Sequence, residues 1–236
     1  MKIKGLILLS LTVALMLVSC SKSTLKNVKI ESRLDSLSYA YGIYIHAGLS
    51  KDSVNLDPII LAKAMMDSKS GKPIMNENIA RGFLFGYFNE RDQARKAKQA
   101  EANKVLYKDL IAKSDSFLQK NKKKPGVIVT ASGLQYEVIT MGTGPKPTAN
   151  SEVKVQYRGT LLDGTQFDAS DPKKPVQFLV KGVIKGWTEA LQLMPVGSKF
   201  KLYIPQDLAY GAEGAGGVIK PYSTLIFDLE LLEIIK

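Results

Sequence analysis

The sequence predicts an α+β chain: an all-helical N-terminal domain with a long connecting helix, then an antiparallel sheet wrapped on one short helix. Three observations carry this. In blocks between Leu34 and Leu118, large apolar residues recur every three or four positions, the period of a helix with one buried stripe. From Leu134 to Leu231 they alternate with polar residues, the period of strands buried on one face. Between the two regions stands Pro125-Gly126, a pair that stops a helix.

The first 19 residues have the form of a secretory leader. Lys2 and Lys4 make a positive start, and Leu6 to Val18 is an apolar run interrupted only by Ser10 and Thr12. That run is too short to span a bilayer and fits the core of a signal peptide, 1–19. It ends in Leu17-Val18-Ser19-Cys20, which resembles a bacterial lipobox. Cys20 is the single cysteine and can form no disulfide within the chain. Lipidation at Cys20 is therefore expected, with residues 20–33, rich in Ser and Lys, as a lipidated tether. The competing readings are an ordinary signal peptide with an incidental Cys, or a buried thiol if the leader were retained. The lipid reading places the protein in the bacterial cell envelope, anchored to a membrane (outer membrane, periplasmic or surface face) through acyl chains rather than a transmembrane helix.

The helical region, 34–124, is expected to form a helical domain with a long linker helix. Leu37, Tyr41, Ile45 and Leu49 recur every four residues. Asp57-Pro58 has the form of an N-cap followed by Pro at the first helical position, and Ser70-Gly71-Lys72-Pro73 ends that helix. From Met75-Asn76-Glu77 one helix is expected to run to about Lys123. Leu84, Tyr87 and Phe88 give its start an apolar face, but no large apolar residue stands between Asn89 and Lys104, so that stretch reads as a bridge between domains. Met and aromatic residues of this half read as core and dimer contacts, with a sticky client-holding surface as the alternative. The formal net charge of +11 is spread along the chain and densest in a helix, which favours a solvated face over nucleic-acid binding. With one His, His46, and one Cys, no metal site is expected, and His46 reads as a partly buried helical residue.

Residues 125–236 read as short strands around one helix. Leu134, Tyr136 and Val138 alternate, as do Val153, Val155 and Tyr157; Val176, Phe178 and Val180; Phe200, Leu202 and Ile204; and Leu225, Phe227, Leu229 and Leu231. Trp187, Ala190, Leu191 and Met194 at i, i+3, i+4 and i+7 give the helix, which Pro195-Val196-Gly197 ends. Antiparallel strands with one helix make an α+β domain. Asp163-Gly164 is a turn signal that presents Phe167-Asp168 beyond it. Taken singly, Tyr157, Phe178 and Phe227 are equally ordinary core and Asp168 a turn cap. As a set with Tyr210 and Trp187 they can line an apolar pocket with few polar groups, the general form of a ligand site. The glycines between 211 and 217 lack the Gly-Lys-Ser/Thr ending and following helix of a phosphate loop.

Ser132-Gly-Leu-Gln-Tyr136, Val155-Gln-Tyr-Arg-Gly159, Asp163-Gly164, Phe167-Asp168, Val183-Ile-Lys-Gly-Trp187, Ala209-Tyr-Gly211 and Thr224-Leu-Ile-Phe-Asp228 together resemble the FKBP-type peptidyl-prolyl cis–trans isomerases. The preceding helices resemble those of the macrophage-infectivity-potentiator-like subgroup, in which that region dimerises. The resemblance implies an isomerase domain, 125–236, acting on proline-containing polypeptides without a cofactor. It implies Trp187 as the pocket floor, with Tyr157, Phe167, Phe178, Val183, Ile184 and Phe227 as walls and Val218 and Ile219 beside the substrate. Asp168 would be the polar group at the edge, and the Ile184 N–H and Tyr210 hydroxyl donors to substrate carbonyls. The loop Gly214-Ala215-Gly216-Gly217 departs from the family, which often carries His or another large residue there. The alternative function is a client-binding chaperone lipoprotein whose pocket is mainly a peptide grip; a purely structural envelope protein is the third.

Overall fold

The computed structural model describes residues 28–235. The expected leader, Cys20 and the tether up to residue 27 lie outside the described residues. The chain divides into two compact units between Ala80 and Arg81.

In the first unit, α1 (Arg33–Lys51) starts at a capping box: the Ser32 hydroxyl accepts the Asp35 N–H at 3.0 Å and the Asp35 carboxylate accepts the Ser32 N–H at 2.8 Å. Helix α2 (Pro58–Lys69) starts where its sequence dictates, with Asp57 Oδ1 accepting the Ile59 N–H at 2.8 Å and Pro58 in the first turn. Neither helix buries a residue. Leu37, Tyr41, Tyr44, Ile60, Met65 and Met66 stand exposed, a face that the described chain leaves uncovered. His46 is exposed too, its Nε2 3.5 Å from Ser50 Oγ, rather than partly buried as expected, because nothing described covers α1.

Helix α3 (Glu77–Leu106) starts at Asn76, whose Oδ1 accepts the Ile79 N–H. The single helix expected to reach Lys123 is instead two. Tyr107, at φ −104° and ψ 23°, interrupts it, and α4 (Lys108–Asn121) follows. No Gly or Pro marks the break; separate anchors set the two directions. Helix α4 is tied to the sheet by Phe117 against Tyr203, ring centroids 5.8 Å apart. Asn121 Nδ2 donates to Gln135 Oε1 at 3.1 Å, and Gln135 Nε2 donates to the Leu118 carbonyl at 3.0 Å. Asn121 and Gln135 are both buried; both ends of the Gln135 amide and the Asn121 Nδ2 are paired, while Asn121 Oδ1 is buried with no partner among the described residues.

The strands are β1 (Val127–Val129), β2 (Gln135–Thr140), β3 (Glu152–Thr160), β4 (Gln166–Ala169), β5 (Val176–Leu179), β6 (Lys199–Ile204) and β7 (Leu225–Ile234). Among the described residues they form one antiparallel sheet in the order β1-β2-β6-β7-β3-β4. Strand β3 pairs with β5 over Glu152–Val155 and with β4 over Arg158–Thr160, so two short strands share its outer edge. Period-2 alternation turns Leu225, Phe227, Leu229 and Leu231 of β7, and Phe200, Leu202 and Ile204 of β6, to the inner face. Helix α5 (Lys185–Leu193) fills that face with Trp187, Ala190 and Leu191, joined by Met194, as its spacing predicts. Leu191 is fully buried, and truncating it to Ala costs about 2–5 kcal/mol. Tyr203 points the other way, to α4, so β6 is covered on both faces.

Candidate active site

Where β3, β4, β5 and β7 meet the first turn of α5, the aromatic side chains enclose a cavity of about 620 Å³. Strand β3 contributes Tyr157. The chain then turns at Asp163-Gly164, where Gly164 adopts φ +87° and Asp163 Oδ1 accepts the Thr165 N–H, and β4 returns with Phe167 and Asp168. Strand β5 adds Phe178 and β7 adds Phe227. The segment entering α5 adds Val183 and Ile184, and its first turn adds Trp187. Tyr210, Val218 and Ile219 come from the loop between β6 and β7. All eleven predicted pocket residues therefore line one cavity. Gly182, Ala215 and Gly216 also line it, and among the described residues no Ser, Thr, Lys or His does.

Trp187 is the most enclosed of the rings, 4% exposed. Three others meet it edge-on: Tyr157 at 5.0 Å and 82°, Phe227 at 5.1 Å and 77°, and Phe178 at 5.7 Å and 89°. Phe167 meets Phe227 in the same way, at 5.4 Å and 86°. Edge-to-face packing sets the positive ring edge against the negative face, and each pair is worth about 0.5–1.5 kcal/mol beyond burial. The box is possible because residue 159 has no side chain. Gly159 sits between β4 and β7, opposite Asp168 and Phe227, and a Cβ there would stand 2.6 Å from Phe167 Cζ and 2.8 Å from Phe227 Cε1. A glycine within a strand signals such a close approach.

The polar groups are few. The Tyr157 hydroxyl donates to Asp168 Oδ2 at 2.8 Å. Burial of the ring, then the hydrogen bond and charge of Asp168, push the Tyr157 phenol up to about 12, so it remains a neutral donor at ordinary pH. Asp168 thus has a phenol as partner, and it is exposed at the cavity edge. The Ile184 carbonyl accepts the N–H groups of Trp187 and Thr188, while its own N–H finds no acceptor among the described residues. Tyr210 is 40% exposed. Trp187 Nε1 is buried with no partner among the described residues. The arrangement offers an aromatic wall, an edge carboxylate and, toward the opening, the Ile184 N–H and the Tyr210 hydroxyl as donors.

Residues 144–232 match the family described as FKBP-type peptidyl-prolyl cis-trans isomerase, and residues 34–138 match the domain amino terminal to it. The chain is 44% identical over 207 residues to the outer membrane protein MIP of Legionella longbeachae, covering 86% of each chain. It is 41% identical to the FKBP-type 22 kDa peptidyl-prolyl cis-trans isomerase of Escherichia coli, covering 84% of this chain and 94% of that one. Among solved structures, FkpA from Escherichia coli is similar with a TM-score of 0.53 and 32% identity, over 87% of this chain and 98% of that one. A peptidyl-prolyl cis-trans isomerase from Pseudomonas syringae pv. tomato is similar at 0.52 and 45% identity, over 55% and 96%.

Proposed function

The chain belongs to the FKBP-type peptidyl-prolyl cis–trans isomerases, and from that premise we propose that the aromatic cavity is where it turns over Xaa-Pro bonds. Rotation about a peptide bond breaks nothing; its barrier of about 18–20 kcal/mol is lost amide resonance. As the amide twists, its carbonyl becomes less polarised and its nitrogen more basic. A water-poor cavity therefore disfavours the planar, dipolar ground state more than the twisted form, and only binding that is stronger in the transition state raises the rate. Trp187 floors the cavity beneath the proline ring, and Tyr157, Phe167, Phe178, Val183 and Phe227 exclude water around it. The Ile184 N–H and Tyr210 hydroxyl donate to substrate carbonyls, and Asp168, held by Tyr157, stands at the edge. Val218 and Ile219 border the chain flanking the proline. The single observation that carries this reading is the four-ring box around one cavity, with its carboxylate fixed 2.8 Å from a phenol.

The uncovered apolar face of α1 and α2 is the reason to assign a homodimer to the helical region 34–124. A monomer rarely leaves such a face open, and a second copy carries the matching surface. Residues 1–19 as leader, 20–33 as tether with Cys20 lipidated, and 125–236 as isomerase domain complete the assignment. The relative named an outer membrane protein supports an envelope location and a membrane partner. In a protease-coupled assay with a proline-containing peptide, the purified chain should speed cis-to-trans conversion well beyond the uncatalysed tens of seconds or longer. The Phe167→Ala variant should lose most of that acceleration. Equal rates with and without Phe167 would remove the cavity from the mechanism.

A further inference from the structure

The loop that closes one side of the cavity is rich in glycine, and its own hydrogen bonds tie the tip to itself. Gly211, Gly214, Gly216 and Gly217 all adopt positive φ, and Ala215 and Ile219 pair across the tip as a two-bond bridge. This tip carries Val218 and Ile219 into the cavity wall. Its two legs are held from outside by helices that contribute nothing to the cavity lining. On the first leg, the Ala212 carbonyl accepts Asn103 Nδ2 of α3 at 2.7 Å. Asn103 is 7% exposed, and Gln99 Nε2 donates to its Oδ1 at 2.9 Å, which fixes the amide with its donor toward the loop. On the second leg, the Tyr222 hydroxyl donates to the Ala100 carbonyl of α3 at 2.8 Å. The Tyr222 N–H donates to the Gly211 carbonyl at 2.8 Å, locking one leg to the other, and Ser114 of α4 donates to the Tyr222 carbonyl at 3.4 Å.

Tyr222 takes φ +63°, a conformation that non-glycine residues rarely adopt. Strained backbone of this kind persists only where surrounding contacts over-determine it. Here the ring reaches back to α3, and backbone bonds run to Gly211 and Ser114. A glycine would relieve the strain but lose the reach. We infer that Asn103 and Tyr222 are positioning residues for prolyl isomerisation: through Ala212 and Gly211 they hold the Tyr210–Ile219 wall at the distance the substrate requires. The inference rests on the cavity being the site of turnover. It also makes the end of α3 a working part of the catalytic unit rather than a linker.

The test is steady-state kinetics on the full purified chain with an Xaa-Pro peptide, comparing Asn103→Ala, Tyr222→Phe and Tyr222→Gly with Gln135→Ala. The last removes two helix-to-sheet hydrogen bonds, to Asn121 and to the Leu118 carbonyl, away from the loop. Losing one net hydrogen bond to the wall should raise KM about fivefold in Asn103→Ala and Tyr222→Phe, with kcat changed less than KM. Tyr222→Gly should be worse than Tyr222→Phe despite its easier backbone. Gln135→Ala should lower thermal stability without moving KM. A smaller folded fraction lowers apparent kcat and leaves KM alone, so KM separates positioning from stability. Unchanged KM in both Asn103→Ala and Tyr222→Phe, or an equal rise in Gln135→Ala, would overturn the inference. An inactive parent chain would instead overturn the assignment of function beneath it.

Discussion

Gly159→Ala adds a single methyl group, and its effect can be worked from the geometry. The new Cβ would lie 2.6 and 2.7 Å from Phe167 Cζ and Cε2 and 2.8 Å from Phe227 Cε1, whereas carbons in contact settle at about 3.5–4.0 Å. One or both rings must therefore retreat by about 1 Å. Gly159 has no positive φ, so the backbone accepts alanine and the cost is steric. Overpacking of this kind costs about 1–3 kcal/mol, partly offset by about 0.4–1 kcal/mol from a stiffer unfolded chain. Net destabilisation should be about 1–2 kcal/mol, visible as a lower urea midpoint at unchanged slope. Activity should suffer as well, because the displaced rings form the cavity wall. If half of that destabilisation is felt only by the twisted amide, about 0.5–1 kcal/mol, kcat/KM falls about two- to fivefold. The assay is the protease-coupled conversion of a proline peptide. Gly159→Ala/Phe167→Leu, which returns space to the methyl, should recover stability without recovering activity. A Gly159→Ala enzyme within twofold of the parent would refute the claim that ring placement sets the rate.

Three further outcomes follow from the same site. Tyr157→Phe removes the donor to Asp168 but keeps the ring, so kcat/KM should fall about two- to tenfold, against a much larger loss in Phe167→Ala; equal losses would contradict the division between wall and edge. Because the Tyr157 phenol is raised to about 12 in the folded protein, above its ordinary value near 10, the folded state holds that proton more tightly. Its contribution to stability is full below pH 10 and lost as pH rises toward 12, and activity should follow; a decline centred below pH 9 that vanishes in Tyr157→Phe would contradict this. In solution the chain should have twice its 25.9 kDa mass by light scattering, and charged replacements at Tyr44 and Met65 should return it to monomer if the face of α1 and α2 is the contact.

The cavity was legible in the sequence because eight of its eleven predicted residues stand in short, distinctive runs whose order matches a known family, with Phe178, Val218 and Ile219 lying outside those runs. The strands and α5 were legible because period 2 and the i, i+3, i+4, i+7 spacing report one-sided burial directly. The break at Tyr107 was not, since neither Gly nor Pro occurs there and the two helices take their directions from distant anchors. Asn103 and Asn121 are buried and paired with partners 109 and 14 residues away, which no local pattern reveals. The Tyr157–Asp168 bond needs the hairpin between them, and only pairing of β3 with β4 places the two groups together. The exposure of His46 depends on what covers α1, which one copy of the sequence does not state.

The most direct test of the cavity as a catalyst of amide rotation is exchange NMR on an Xaa-Pro peptide with a small molar fraction of the purified chain. It reads the interconversion itself, with no coupling protease. The account predicts cis–trans exchange line broadening or magnetisation transfer with the parent chain and near-baseline exchange with Phe167→Ala at equal folded concentration. Exchange that stays at the uncatalysed rate with the parent, or that is as fast with Phe167→Ala, would contradict it.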